Sequence, residues 1–382
     1  MARRAQTPDI ETLPEADRVA PFPHPRMTQS LHGHADAAEQ LEAALDSGRA
    51  HHAWLVTGPQ GIGKSTLSYF AARYALSEHA ERATVNAQVP LAINRDGPTW
   101  RQVAAMAHPG LLVLRRPYDQ KEKRFRAVIT VDEVRRLRDF FAHTAAGTGR
   151  RVVLIDRVDE LNISAANALL KSLEEPPTGA LFLLISSNPG RLLPTIRSRC
   201  RTLTLAPLSE TASEAALRQA FETIDAPLDL GRDVDAGTAL AEVLSAAKRS
   251  GFAGQPGRMA SILAMSGTTL AAMVDDVFKR LPSVDWDAVH RLADNFARAD
   301  QLPKFELFAT LFLDRLHGVV RAQITDMAGP DQGGGLSAPQ LARLAETWET
   351  AARALAGVEA LNLDRRTFVI ETVSATAQSL KR

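Results

Sequence analysis

Eight consecutive residues, Gly58-Pro59-Gln60-Gly61-Ile62-Gly63-Lys64-Ser65, satisfy the pattern G-x-x-x-x-G-K-[ST] in full. Glycines at these spacings let backbone N–H groups approach a phosphate with no Cβ in the way. A helix that starts there adds the positive end of its dipole. In such a loop Lys64 reaches the β and γ phosphates, Ser65 ligates Mg²⁺, and Thr66 belongs to the same phosphate-binding turn. The expected ligands are therefore ATP and Mg²⁺, held by Gly58, Gly61, Gly63, Lys64, Ser65 and Thr66.

A second group of residues bears on what happens to that nucleotide. Asp156 closes the apolar run Val152-Val153-Leu154-Ile155, where an aspartate holds Mg²⁺ in P-loop enzymes; a plain helix-capping aspartate is the other reading of that position. The next residue is Arg157. A guanidinium stays protonated and cannot serve as the base that orients an attacking water. Asp159 and Glu160 lie three and four residues beyond Asp156, too far along the chain to replace a carboxylate at the strand end. The residues predict a site that binds ATP and hydrolyses it poorly or not at all. Asn188 follows a further apolar run, Ala180 to Ile185, at a place where a polar side chain senses the γ phosphate or simply forms a turn.

These residues need a scaffold, and the apolar runs supply one. Ala53-Trp54-Leu55-Val56 leads into the glycine-rich loop, and residues 65–77 resume a helical pattern after it. Leu111 to Leu114, Val152 to Ile155 and Ala180 to Ile185 read as strands, with Ala127 to Thr130 as another short one. Residues 132–142, led by Asp132 as N-cap, and 164–175, stopped by Pro176-Pro177, read as the helices between them. Strands alternating with helices imply a parallel three-layer α/β sheet over roughly residues 30–205. Beyond Leu208 the pattern is helical throughout, with loops at 251–257 and 329–335 and one helix face carrying Phe305, Phe308, Phe312, Leu316 and Val319.

Composition sets the outer limits. A chain of 382 residues is too long for one ordinary core, and an apolar fraction of 45% is a normal globular value. The net charge of +1 gives no bulk attraction to nucleic acid or membrane, so a DNA contact must be local or shared with partner subunits. Cys200 is the single cysteine, which excludes an internal disulfide framework. No stretch has the length of a membrane span and the amino terminus has no apolar core of signal type. The expectation is a cytoplasmic protein with no membrane partner. Pro14 to Pro25 holds four prolines and predicts an extended arm lying on the first domain. The loop Arg115 to Arg126 carries six basic residues against Asp119 and Glu122, which reads as a solvated hairpin or, less simply, a patch for phosphates or an acidic partner.

Four further stretches bear on family: Ser198-Arg199-Cys200, Asn167 through Glu174-Glu175-Pro176-Pro177, Leu31-His32-Gly33-His34, and His52-Ala53-Trp54-Leu55. Together they resemble the AAA+ clamp-loader subunits of bacterial DNA polymerase III, and the delta-prime type more than the gamma/tau motor. With residues 1–27 read from their prolines as an extended arm, or over the first dozen residues as a disordered tail, the resemblance implies an AAA+ P-loop domain at 28–207, a helical lid at 208–267 and an all-α collar for oligomerisation at 268–382. It also implies that Arg199 acts as an arginine finger in a neighbouring subunit's site. Gly254-Gln255-Pro256-Gly257-Arg258 matches the family's lid motif and makes Arg258 a second sensor of the nucleotide. Implied partners are gamma/tau and delta subunits, with the sliding clamp and primed DNA met through the assembled complex.

The chain departs from that family twice. Residues 78–110 contain no cysteine, so the four-cysteine zinc module of most relatives has no ligands here and His108 before Pro109 reads as a turn residue. The P-loop is intact, whereas many delta-prime proteins carry a degraded one. A gamma/tau-type ATPase motor and an AAA+ protein acting outside replication remain alternatives. Arg157 and the lack of a long tail after the collar weigh against the motor.

Overall fold

The computed structural model describes residues 13–48, 50–83, 89–142, 149–224, 236–265, 267–298, 301–327, 336–361 and 364–381. The chain falls into two compact units. One runs to Leu208 and includes Gln219–Thr223; the other comprises Ser209–Arg218 and the chain from Ile224 onward.

The first unit is built on strands β1 (Ala53–Thr57), β2 (Leu111–Leu114), β5 (Arg151–Ile155), β6 (Ala180–Ser186) and β7 (Arg201–Thr204), with a small hairpin of β3 (Tyr118–Asp119) and β4 (Arg124–Phe125). The five long strands pair in parallel in the order β2-β5-β6-β1-β7. Every residue of β1 and β5 is buried, as parallel strands covered by helices on both faces require. Helices α1 (Ala35–Asp46), α2 (Lys64–Leu76), α3 (His79–Ala83) and α4 (Pro98–Ala104) precede β2; α5 (Val131–Ala142), α6 (Ile163–Glu174) and α7 (Pro194–Arg197) follow it. Trp54, Val56, Leu154 and Leu183 face one core with α1 and α2, and Leu55, Val153, Phe182 and Leu184 face the other with α5 and α6. From Leu67 to Leu76 every residue of α2 is buried, because sheet, α1, α4 and the segment Pro25–Met27 all pack on it.

The structure corrects two local expectations and adds a cap that the sequence reading did not name. The fifth strand of the sheet is Arg201–Thr204, in which only Leu203 is buried; residues 127–130 make one isolated bridge, Ile129 to Leu161, and no strand. Helix α5 starts at Val131, so Asp132 lies inside its first turn and pairs with Arg135 at 2.8 Å instead of capping it. The cap of α6 is Asn162, whose side chain accepts from the Ala165 N–H at 2.8 Å.

The second unit is helical, with α8 (Glu210–Glu222) shared between the two, then α9 (Ala236–Ser250), α10 (Pro256–Ala264), α11 (Gly267–Arg280), α12 (Trp286–Phe296), α13 (Leu302–Met327), α14 (Ala338–Leu361) and α15 (Arg365–Leu380). Helix α13 is its axis: Phe305, Phe308, Phe312 and Leu316 are all buried, and Phe305 meets Phe296 and Phe368 edge-on. The buried stripe ends at Val320 in place of the expected Val319. Residues 329–335 lie outside the described residues. No single described helix is long and apolar enough to cross a membrane.

Candidate nucleotide site

Gly58, Gly61 and Gly63 all hold positive φ, at 141°, 77° and 96°. A Cβ on Gly58 would run into the Leu205 carbonyl oxygen, and the conformation of Gly63 is one that other residues rarely adopt. Packing against Leu205 therefore requires glycine at Gly58, and backbone conformation favours it at Gly61 and Gly63. Its crest is held from behind by His34, whose Nε2 lies 2.8 Å from the Ile62 carbonyl oxygen.

Lys64 opens α2 and is buried. Its ammonium donates to the Gly58 carbonyl at 2.8 Å, the Pro59 carbonyl at 2.6 Å and the Ser187 hydroxyl at 2.9 Å. Among the described residues no carboxylate lies within salt-bridge distance of it. Burial pushes the ammonium down to about 8, with Asp156 and Asp159 only partly opposing. A desolvated cation with neutral partners is what a polyphosphate would neutralise.

Beside it, the Ser65 hydroxyl donates to Asp156 Oδ1 at 3.0 Å. Asp156 is buried, and burial raises its carboxyl well above the ordinary range, with the nearby charge of Asp17 adding to the effect. A hydroxyl and a carboxylate, both oxygen donors, fit the hard coordination of Mg²⁺. The bare glycine loop, the unpaired lysine and this oxygen pair make a consistent fit for magnesium-bound nucleotide.

The strand end beyond Asp156 is different. Arg157 turns into the left-handed region at φ 59° and ties Glu160 at 3.0 Å. Arg116 holds the other Glu160 oxygen at 2.9 Å. Glu160 is thereby fixed between two guanidiniums, while burial still raises its carboxyl. Asp159 accepts from the Ser187 N–H at 3.3 Å. The residue after β6 that touches Lys64 is Ser187, while Asn188 is exposed next to it. Thr66 is half-buried in the first turn of α2.

Arg199, half-exposed after α7, pairs with Glu174 at 2.8 Å and donates to the Thr195 carbonyl at 3.0 Å. Arg258, in the second unit, pairs with Asp314 of α13 and lies 4.9 Å over the Phe252 ring; burial pulls its guanidinium down to about 10. The basic loop is largely neutralised. Arg124 pairs with Glu122, Arg126 with Asp119, and Arg115 with Glu15 and Asp17.

His34, Ser187 and Asp17 are the site's neighbours that sequence reading did not assign. His34 carried a signal, since it lies in the Leu31–His34 stretch, but only the fold brings it to Ile62.

Comparison with known proteins gives a consistent set of relatives. A family model described as "DNA polymerase III, delta subunit" matches residues 33–209. The chain is similar to DNA polymerase III subunit delta' of Pseudomonas aeruginosa, at 45% identity over 40% of this chain and 43% of that protein. It is similar to subunit delta' of Escherichia coli at 30% identity over 76% of this chain and 78% of that one. DNA polymerase III subunit gamma/tau of Mycobacterium tuberculosis matches at 28% identity, over 76% of this chain and 48% of the relative.

Proposed function

The chain belongs to the delta-prime family of DNA polymerase III clamp-loader subunits, and from that premise we propose that it binds magnesium-bound ATP while serving as the stator of a clamp loader. The observation that carries the reading is the contrast within one site. Lys64, Ser65 and Asp156 are assembled for nucleotide, whereas the residue after Asp156 is a guanidinium bound to Glu160.

Backbone N–H groups of Gly58–Ser65 and the start of α2 would hold the phosphates of the nucleotide. Lys64 exchanges its carbonyl and hydroxyl partners for phosphate oxygens. Ser65 and Asp156 hold the metal, whose chemistry when bound is to offset phosphate charge. Arg157 supplies no base, and Glu160 is engaged by two cations. Hydrolysis at this site is accordingly slow or absent. In this reading Asn188 fills the first sensor position; Arg258, the candidate for the second, is paired with Asp314 within its own unit.

Arg199 is the residue through which a stator acts on a neighbour. In the isolated chain Glu174 holds it at the surface, and a half-exposed pair of this kind is weak enough to exchange for a phosphate. The partners are gamma/tau and delta subunits, with the sliding clamp and primed DNA reached through the complex. The test is reconstitution with gamma/tau and delta subunits carrying Arg199→Ala. Arginine fingers contribute roughly 10³ to 10⁵ in rate at the site they serve. Since a loader has several sites, total ATP turnover should fall by less than that, with clamp loading impaired and assembly normal. Unchanged turnover and loading would refute the finger.

A further inference from the structure

The strap that precedes α1 is not packed on the domain by apolar contact alone. Phe22 does provide an apolar anchor, meeting Phe221 edge-on at 5.4 Å. The remainder is a charge cluster: Glu15, Asp17, His24 and Arg26 from the strap with Arg115 from the end of β2. Arg115 donates to Glu15 at 2.5 Å and to Asp17 at 2.6 Å. Arg26 donates to both Glu15 oxygens, at 2.7 and 2.8 Å, and to the Ala104 carbonyl at 2.8 Å. His24 takes the Arg26 N–H on Nδ1 at 3.1 Å, which leaves Nε2 to donate to Asp17 at 2.9 Å. The side chains of Asp17 and His24 are 1% and 2% exposed, so these charges carry a desolvation cost that a simple tether would not need.

The position of the cluster gives it a purpose. Ser65 and Tyr69 are four residues apart on α2 and therefore on one face of it. Ser65 donates to Asp156 at the end of β5, and Tyr69, one turn further on, donates to Asp17 at 3.2 Å. Asp17 in turn grips Arg115, which directly follows Leu114, and the Leu114 carbonyl accepts from the Asp156 N–H at 3.0 Å. Two parallel links thus join α2 to the ends of neighbouring strands. One is the oxygen pair for the metal and the other runs through the strap. Higher up, Arg73 of α2 donates to the Thr28 carbonyl at 3.3 Å, and the strap ends at His34 behind the P-loop crest.

We propose that this strap is a working part of the phosphate site, with Asp17 and Tyr69 as positioning residues that hold Ser65 against Asp156 and so strengthen the grip on magnesium-bound nucleotide. The inference rests on the nucleotide reading above. Loss of groups that orient a metal's ligands commonly costs 10- to 100-fold in affinity, and the effect should be confined to the metal-dependent part of binding.

The test uses the full chain and a fluorescent ATP analogue, titrated with magnesium and again with EDTA. Asp17→Asn and Tyr69→Phe should each weaken binding about tenfold or more with magnesium and leave it near wild type in EDTA. Arg366→Ala, which breaks the Arg366–Asp294 pair in the helical unit, should change neither. Tyr69→Phe removes one oxygen from a buried ring, so it decides the matter if Asp17→Asn fails to fold. Equal losses with and without magnesium, or wild-type binding by Tyr69→Phe, would overturn the inference and leave the nucleotide reading intact. No binding by the wild type would overturn the nucleotide reading and this inference with it.

Discussion

The two halves of the candidate site, one at the start of α2 and one at the end of β5, are built to different standards. Around Lys64 the glycine conformations, the neutral partners of the ammonium and the His34 contact behind the loop fit a phosphate site. Beyond Asp156 the chain turns away at Arg157, and the nearest glutamate is tied up by Arg157 and Arg116. Binding and turnover need different residues, and the proposed function is that this site keeps the first without the second. Under that function, such a subunit would bind nucleotide and leave hydrolysis to a neighbour.

The largest effect that would break this contrast is at Lys64. Lys64→Ala should lower affinity for magnesium-bound ATP about a hundredfold, the equivalent of roughly 3 kcal/mol and in line with loss of charge-assisted hydrogen bonds. The thermal midpoint should hold or rise, because burial already disfavours the ammonium. Titration with a fluorescent analogue and a thermal melt check both parts. Equal binding by variant and wild type would mean that the well-built half is vestigial.

A smaller effect is expected from acid, because the binding half is braced by the strap. Charge and hydrogen bonds from His24 and Arg115 outweigh burial and hold the Asp17 carboxyl down at about 2. A depressed carboxyl contributes stability that is present above its unfolded value near 4 and is lost as pH falls from there towards about 2. At 1.36 kcal/mol per unit the contribution is on the order of 2 kcal/mol. Burial also lowers His24, so its protonation below about pH 6.5 acts in the same direction. Urea melts between pH 7 and pH 3 should show the loss, and Asp17→Asn should flatten it over the lower part of that range.

The smallest effect belongs to Glu174. Its pair with Arg199 is half-exposed on both sides, so Glu174→Ala should shift stability of the isolated chain by less than about 1 kcal/mol. A larger shift in a urea melt would mean that Arg199 is a structural arginine of this fold.

Much of this was legible in the sequence where local chemistry suffices. The P-loop announced itself, and the strands at Ala53, Leu111, Val152 and Ala180 stood out as apolar runs because parallel strands buried on both faces have no polar side. β7 escaped notice for the opposite reason. It is a short edge strand with one buried residue, Leu203, and carries no periodic signal. Val128 and Ile129 mimicked a strand, yet only Ile129 found a partner. The strap's prolines were visible, but the meeting of Glu15 and Asp17 with Arg115, about a hundred residues away, is decided by the fold. The same holds for Ser187, which takes the contact with Lys64 beside the more conspicuous Asn188.

One measurement tests the contrast between the two halves most directly: equilibrium ATP binding and steady-state phosphate release, determined on the same preparation of the pure chain. The account predicts saturable, magnesium-dependent binding, with turnover well below the usual enzyme range of about 1 per second and above. Binding accompanied by turnover within that range would contradict it and return the chain to the ranks of the motors.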